Sequence, residues 1–303
     1  MFHGSMVALL TPMKENGDVD HLCLLKQVDW HLEQKTIVVM GTTGEAATLT
    51  LDEQDRIIEA VVERVNHRIP VIAGTGSNST RHAIERTKKA MKIGVNACLL
   101  VTPYYNCPTQ EGLYRHYCSI AEDVAIPQIL YNVPKRTGCD ILPETVERLA
   151  QFANIVGIKE GRVEQAREII QRCGHRMDVY SGDDSSALEI MRLGGKGVVS
   201  VAANLMPKTM HVFCQWVKKA YESRDDASLW AKAEVLDGEL QPIYKQLFVE
   251  TNPIPVKWLA SELGLMASPT LRLPLTTLSV AQQEQLKSVL DCLRSTNFTE
   301  RLL

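Results

Sequence analysis

No Cys-x-x-Cys pair occurs in the chain, and its eight cysteines stand apart at positions 23, 98, 107, 118, 139, 173, 214 and 292. A disulfide framework has no support. Several of these residues sit in apolar runs, which predicts buried, reduced thiols and a cytoplasmic protein. The eight histidines show no His-x-x-His or His-Glu-x-x-His spacing, so neither a metal nor any other cofactor is expected. The formal net charge of −3 leaves no basic footprint for nucleic acid. No apolar run approaches the roughly 18 residues of a membrane span. Met1-Phe2-His3-Gly4-Ser5 has no basic n-region or cleavage signal. A dinucleotide-binding sheet wants Gly-x-Gly-x-x-Gly after its first strand, and Thr11-Pro12 stands there instead. No repeat or low-complexity segment appears.

What the chain does have is a regular alternation of short apolar strands and amphipathic helices, the pattern of a parallel α/β sheet. Strands are predicted at Met6–Leu10, Ile37–Met40, Pro70–Ala73, Ala97–Val101, Gln128–Tyr131, Asn154–Glu160, Asp178–Ser181 and Gly197–Val201. Helices are predicted near Val19–Gln34 with Asp18 as N-cap, Leu51–Val65, Thr80–Met91 and Glu111–Asp123. Pro143 opens another at its first turn, where a missing N–H does no harm. Eight such units favour a closed (β/α)₈ TIM barrel over an open doubly wound sheet. After about Tyr221 the strands stop. Helices near Ala227–Val249, Pro255–Leu263 and Ala281–Leu293 remain, so the expected division is a barrel over 1–223 and a small C-terminal helical domain over 224–303.

A barrel's active site lies at the C-terminal ends of its strands. Those ends carry Thr42, Thr43, Tyr104, Tyr105, Tyr131, Lys159, Asp183 and Asp184. The central stretch is Asn154-Ile155-Val156-Gly157-Ile158-Lys159-Glu160, a buried strand that ends in a lysine. Taken alone, the simpler reading is that Lys159 reaches for water. An amine at the mouth of an apolar wall is, however, pushed toward its neutral form, and a neutral amine attacks carbonyls to form a Schiff base. A neighbouring tyrosine would pass protons to and from the intermediates. Gly41-Thr42-Thr43-Gly44 offers hydroxyls and backbone N–H groups that suit a carboxylate, or else an ordinary turn. Gly74-Thr75-Gly76 reads as a turn, and Gly194-Gly195-Lys196-Gly197 as a connection on the opposite rim.

The motifs together resemble the pyruvate-dependent class I aldolases, and within them the dihydrodipicolinate synthase group. The resemblance runs from Gly4 to about Pro274. It is carried by Gly41-Thr42-Thr43-Gly44-Glu45, Ile72-Ala73-Gly74-Thr75-Gly76, Thr102-Pro103-Tyr104-Tyr105-Asn106, Tyr131-Asn132-Val133-Pro134, Arg136-Thr137-Gly138, Gly157-Ile158-Lys159-Glu160, Ser181-Gly182-Asp183 and Asn252-Pro253-Ile254-Pro255-Val256-Lys257.

The resemblance implies a lyase of lysine and diaminopimelate biosynthesis that condenses pyruvate with L-aspartate 4-semialdehyde. It implies that Lys159 forms the Schiff base and that Tyr131, Thr43 and Tyr105 relay protons, Tyr105 from a neighbouring subunit of a homotetramer. Thr42 and Thr43 would hold the pyruvate carboxylate, Gly182 and Val199 would line its site, and Arg136 would receive the carboxylate of the second substrate. Relatives that bind feedback-inhibiting lysine use a glutamate, an asparagine, a histidine and a tyrosine at the subunit interface. Here Asn78 and Tyr104 match, while His82 replaces the glutamate and Gln54 the histidine, which predicts weak or no inhibition. The chain is also shorter than the family pattern at Gln34-Lys35-Thr36 and at Gly161-Arg162-Val163. Rival readings are another pyruvate aldolase, such as an N-acetylneuraminate lyase or a 2-keto-3-deoxy sugar acid aldolase, and a non-catalytic keto-acid-binding barrel. The aldolase rivals generally have no arginine at the position of Arg136.

Overall fold

The computed structural model describes residues 2–32, 36–223 and 226–295. Its strands are β1 Gly4–Ala8, β2 Thr36–Val39, β3 Val71–Gly74, β4 Ala97–Val101, β5 Gln128–Tyr131, β6 Ile155–Glu160, β7 Asp178–Ser181 and β8 Gly197–Ser200. Between and after them run α1 His21–His31, α2 Leu51–Val65, α3 Thr80–Ile93, α4 Gln110–Asp123, α5 Pro134–Thr137, α6 Pro143–Leu149, α7 Val163–Cys173, α8 Ala187–Arg192 and α9 Pro207–Glu222. The chain continues with α10 Ala227–Gln246, α11 Ile254–Glu262 and α12 Val280–Ser295. The eight strands pair in parallel in sequence order, and β1 pairs with β8 from Gly4↔Gly197 to Val7↔Ser200, closing the barrel. The expected fold is the one observed.

Successive side chains of a strand point to opposite faces, so each strand feeds two cores. Met6, Ala8, Val38, Leu99, Ile129 and Val199 fill the inside of the barrel. Val7, Ile37, Val39, Leu100, Leu130 and Ile158 face the helices. The inside is therefore a packed plug, and a substrate finds room only at its rim. Gly157 is where that plug needs a glycine. A Cβ there would lie 2.8 Å from the Tyr180 ring, which occupies the space. On the same strand Ile158 faces out, so Lys159 faces in beside its register partner Tyr131.

Local chemistry explains where the elements differ from expectation. Asp20, not Asp18, caps α1, accepting from the Cys23 N–H at 3.0 Å. Asp18 is held two residues earlier, accepting from Asn16 Nδ2 at 2.8 Å in the turn closed by the Met13–Val19 bridge. Strand β1 begins at Gly4 and stops at Ala8, because Leu10 gives its N–H to the side chain of Asn204 at 3.1 Å instead of to the ladder. The extra turn α5 after β5 was not foreseen. Helix α2 matches its predicted bounds and opens with a capping box, Thr50 and Glu53 each bonding the other's backbone N–H.

The Gly194–Gly197 run lies at the N-terminal ends of β1 and β8, where the Gly4 N–H donates to the Lys196 carbonyl at 2.8 Å. Beyond α9 there are only helices among the described residues. The expected junction at Ser223–Asp226 includes Arg224 and Asp225, and the short loop before β2 includes Gln34 and Lys35, all outside the described residues. None of the eight cysteines forms a disulfide among the described residues. No helix among the described residues is long and apolar enough to cross a membrane.

Candidate active site

At the C-terminal rim, the ends of six strands meet around a cavity of ≈ 60 Å³. At about 10–15 Å³ per water, that is room for roughly four waters or one small organic acid. A larger but shallow groove of ≈ 620 Å³ lies on the surface between α6 and α7, lined by charged side chains such as Glu164 and Arg167. It holds none of the candidate site residues.

Lys159 forms part of the cavity wall and is only 7% exposed. Its Nζ lies 4.2 Å from the centre of the Tyr131 ring on the adjacent strand. Among the described residues it has no carboxylate partner. The side chain after it points the other way, into an anchoring network. The Glu160 carboxylate is buried and accepts from Asn132 Nδ2 at 2.7 Å and from the Arg162 backbone N–H at 2.9 Å. Arg162 in turn forks onto Asp140 with two bonds of 2.7 Å. Those carboxylates push the Arg162 guanidinium above its ordinary pKa, Asp140 contributing most. The shortened Gly161-Arg162-Val163 segment is thus a rigid strut behind β6, and α7 starts directly at Val163.

The Thr42–Thr43 loop is held from three sides. Thr11 Oγ1 donates to the Gly44 carbonyl at 2.7 Å. Gln54 Nε2 donates to the carbonyls of Ala46 and Leu49 at 2.8 and 3.0 Å. Glu45, in a left-handed conformation at φ 55°, makes a fully buried ion pair with Lys257 of α11. Thr43 Oγ1 accepts from Asn252 Nδ2 at 3.0 Å, so its own proton is free to be aimed elsewhere. The Asn252 carbonyl accepts from Arg136 Nη2 at 3.1 Å. One residue from the C-terminal segment therefore ties the threonine to the arginine. Thr42, Arg136, Gly182 and Val199 complete the predicted set on the wall, joined by Asp183, Phe248 and Asn252.

Three further residues lie off the cavity wall. Asp184 turns away from the cavity. It is buried and accepts from the backbone N–H groups of Val201 and Ala202 at 3.0 and 2.9 Å, and burial raises its carboxyl to about 6. Tyr105 is 91% exposed on a protruding loop, at φ 75°, and one chain alone does not bring it to Lys159. Gln54 is buried with both ends of its amide engaged, since Oε1 also accepts from Arg86. Asn78 is half-buried just before α3, His82 is exposed on the first turn of α3, and Tyr104 is exposed on the β4–α4 loop.

Sequence reasoning gave no role to Asn252, Glu45, Lys257 or Phe248. The first three lay inside motif segments already noted. A polar residue between apolar turns of a C-terminal helical segment was the available signal.

Comparison with known proteins agrees with this geometry. The model of the dihydrodipicolinate synthetase family matches residues 1–293. The 4-hydroxy-tetrahydrodipicolinate synthases of Nitrosococcus oceani and of Pseudomonas aeruginosa are each 53% identical to this chain over 294 residues, covering 96% of it and 98% of theirs. A crystal structure of the chloride-inhibited dihydrodipicolinate synthase from Acinetobacter baumannii complexed with pyruvate superposes with a TM-score of 0.91 at 47% identity, covering 97% of this chain and 99% of that one. The chain belongs to the dihydrodipicolinate synthetase family.

Proposed function

We propose that the chain is a lyase that condenses pyruvate with L-aspartate 4-semialdehyde to 4-hydroxy-tetrahydrodipicolinate, in the diaminopimelate route to lysine, and that the residues of the rim cavity carry the reaction. The observation behind this is Lys159: a buried amine with no carboxylate partner among the described residues, over the face of Tyr131, in a cavity that also holds Thr43 and Arg136.

The amine adds to the keto carbon of pyruvate, and the keto oxygen leaves as water. The resulting imine makes the pyruvate methyl acidic. Loss of a methyl proton gives an enamine, whose carbon attacks the aldehyde and leaves an alkoxide that takes a proton. The product's own amine then adds to the imine carbon, closing the ring and releasing Lys159. Tyr131 and the Thr43 hydroxyl, steadied by Asn252, move the protons. Thr42 and Thr43 hold the pyruvate carboxylate beside Gly182 and Val199, and Arg136 holds that of the aldehyde.

Tyr105 enters through a second copy of the chain. Its exposure in one chain is what a residue donated to a neighbour's site requires, and we infer a homotetramer built of two such dimers. Mixing an inactive Lys159 variant with an inactive Tyr105 variant restores activity if mixed dimers share sites. No recovery after proven subunit exchange overturns the sharing. In this reading the barrel domain over 1–223 provides the reacting groups, and the C-terminal domain over 224–303 adds Phe248 and Asn252 to the cavity wall.

Pyruvate with borohydride should add one pyruvyl unit, on Lys159, as read by peptide mass. Labelling elsewhere, or none, overturns the mechanism. A parallel assay with aspartate semialdehyde and with sialic acid separates this activity from that of the related aldolases.

A further inference from the structure

Asp183 is the residue of the rim that the reaction above leaves without work. It stands on the cavity wall with Arg136 and Lys159, and among the described residues it is the only carboxylate there. Its backbone is fixed: the Asp183 carbonyl accepts from Ser181 Oγ at 2.7 Å and from Ser186 Oγ at 3.2 Å. Its carboxylate, by contrast, has no hydrogen bond or ion pair within the described residues. The side chain lies across the end of β6. A Cβ placed on Gly161 would come within 2.3 Å of Asp183 Oδ2, so the glycine of the shortened segment leaves the carboxylate its position.

The chemistry of the second substrate asks for such a group. L-aspartate 4-semialdehyde is an α-amino acid and presents an ammonium next to its carboxylate. Arg136 answers the carboxylate. The ammonium needs an anion or acceptor on the same wall. Glu160 faces outward into its bonds with Asn132 and Arg162. Glu45 is committed to Lys257. Asn252 is uncharged, with Nδ2 engaged by Thr43 and Oδ1 closed off from solvent. We propose that Asp183 binds the α-ammonium of the aldehyde substrate and, together with Arg136 on the same cavity wall, makes the rim selective for zwitterionic amino-aldehydes over simple aldehyde acids.

This rests on the proposed function and adds a specificity determinant to it. The test compares aspartate semialdehyde with its des-amino analogue, 4-oxobutanoate, which keeps the aldehyde and carboxylate but has no ammonium. In Asp183→Asn, kcat/KM for aspartate semialdehyde should fall roughly five- to fiftyfold, the range between an exposed and a desolvated charge contact. The inhibition constant of 4-oxobutanoate in competition with aspartate semialdehyde should stay within about twofold of wild type. Equal weakening of both ligands would mark Asp183 as a structural residue and overturn the proposal, as would no change in either. Wild-type turnover of aspartate semialdehyde with an unmoved ratio defeats this inference alone. A wild-type chain that traps pyruvate on Lys159 but ignores aspartate semialdehyde defeats both readings.

Discussion

Two lysines are buried among the described residues, and they are put to opposite uses. Lys257, in α11, is fully enclosed and pairs with an equally enclosed Glu45. Burial pulls its ammonium below the ordinary lysine pKa while the glutamate works the other way. Lys159, at the end of β6, is 7% exposed and faces the ring of Tyr131 and the cavity. A buried charge with a carboxylate partner is an anchor, because neither member leaves without stranding the other. An amine that meets an aromatic face and a small cavity has nothing to hold it from a carbonyl. Burial alone does not mark a reactive lysine; what sits across from it does.

Removing each lysine separates the two roles. Lys159→Ala should abolish essentially all turnover, because the imine route disappears instead of weakening. Its melting temperature should change little, since no ion pair is broken. A variant with substantial residual activity would contradict the assignment. Lys257→Met should do the reverse, costing about 3–5 kcal/mol of folding stability by leaving Glu45 buried and uncompensated. Denaturant unfolding measures it. Adding Glu45→Leu to that variant should recover part of the loss, and a double variant no more stable than the single one would mean the pair is not what anchors the loop.

A third side chain lies between these extremes. Arg136 is exposed, tied to the site through the Asn252 carbonyl, and available to a ligand. Loss of its contact with a substrate carboxylate should cost about 2–3 kcal/mol of transition-state binding, tens to hundreds of fold in kcat/KM for the aldehyde. Pyruvate trapping on Lys159 should survive in Arg136→Ala. Equal damage to both would make the arginine structural.

The comparison also shows what could be read from sequence. The barrel was legible because eight apolar runs with helical stripes between them leave few ways to pack. The strand-end lysine and tyrosine were legible because a two-residue period fixes which side chain faces in. Lys159 and Tyr131 follow from that rule once the strands are placed. The anchor was not legible. Glu45 and Lys257 are 212 residues apart in the chain, and neither belongs to a periodic pattern that demands a partner. Asp184 was misread for a related reason. It follows Asp183 directly at a strand end, and only the short helical turn that begins there sends one carboxylate to the cavity and the other to the N–H groups of Val201 and Ala202. Capping inside a turn is decided by backbone direction, which a list of strand ends does not contain.

The smallest effect concerns four positions with no carboxylate among them. Of the four positions that the family resemblance assigns to a lysine-binding cleft, this chain supplies Gln54, Asn78, His82 and Tyr104. The first turn of α3, where His82 stands, holds no acidic residue. Gln54 offers no substitute, because its oxygen already accepts from the Arg86 guanidinium and its nitrogen serves the loop before α2. Lysine brings a cationic α-amino group that wants an anion in a partly buried setting. Asn78 and Tyr104 still offer polar contacts for its carboxylate, so some binding survives. Losing one charge-assisted contact weakens affinity by about 1.5–3 kcal/mol, roughly ten- to a hundredfold. We therefore expect weak or no inhibition, read in a lysine titration at neutral pH and subsaturating pyruvate. Half-inhibition at micromolar lysine would show that other groups supply the anion. His82→Glu should strengthen inhibition by restoring a carboxylate on an exposed helix turn that can accept one without repacking. No gain in that variant would mean that the engaged Gln54, and not the missing charge, is what closes the cleft.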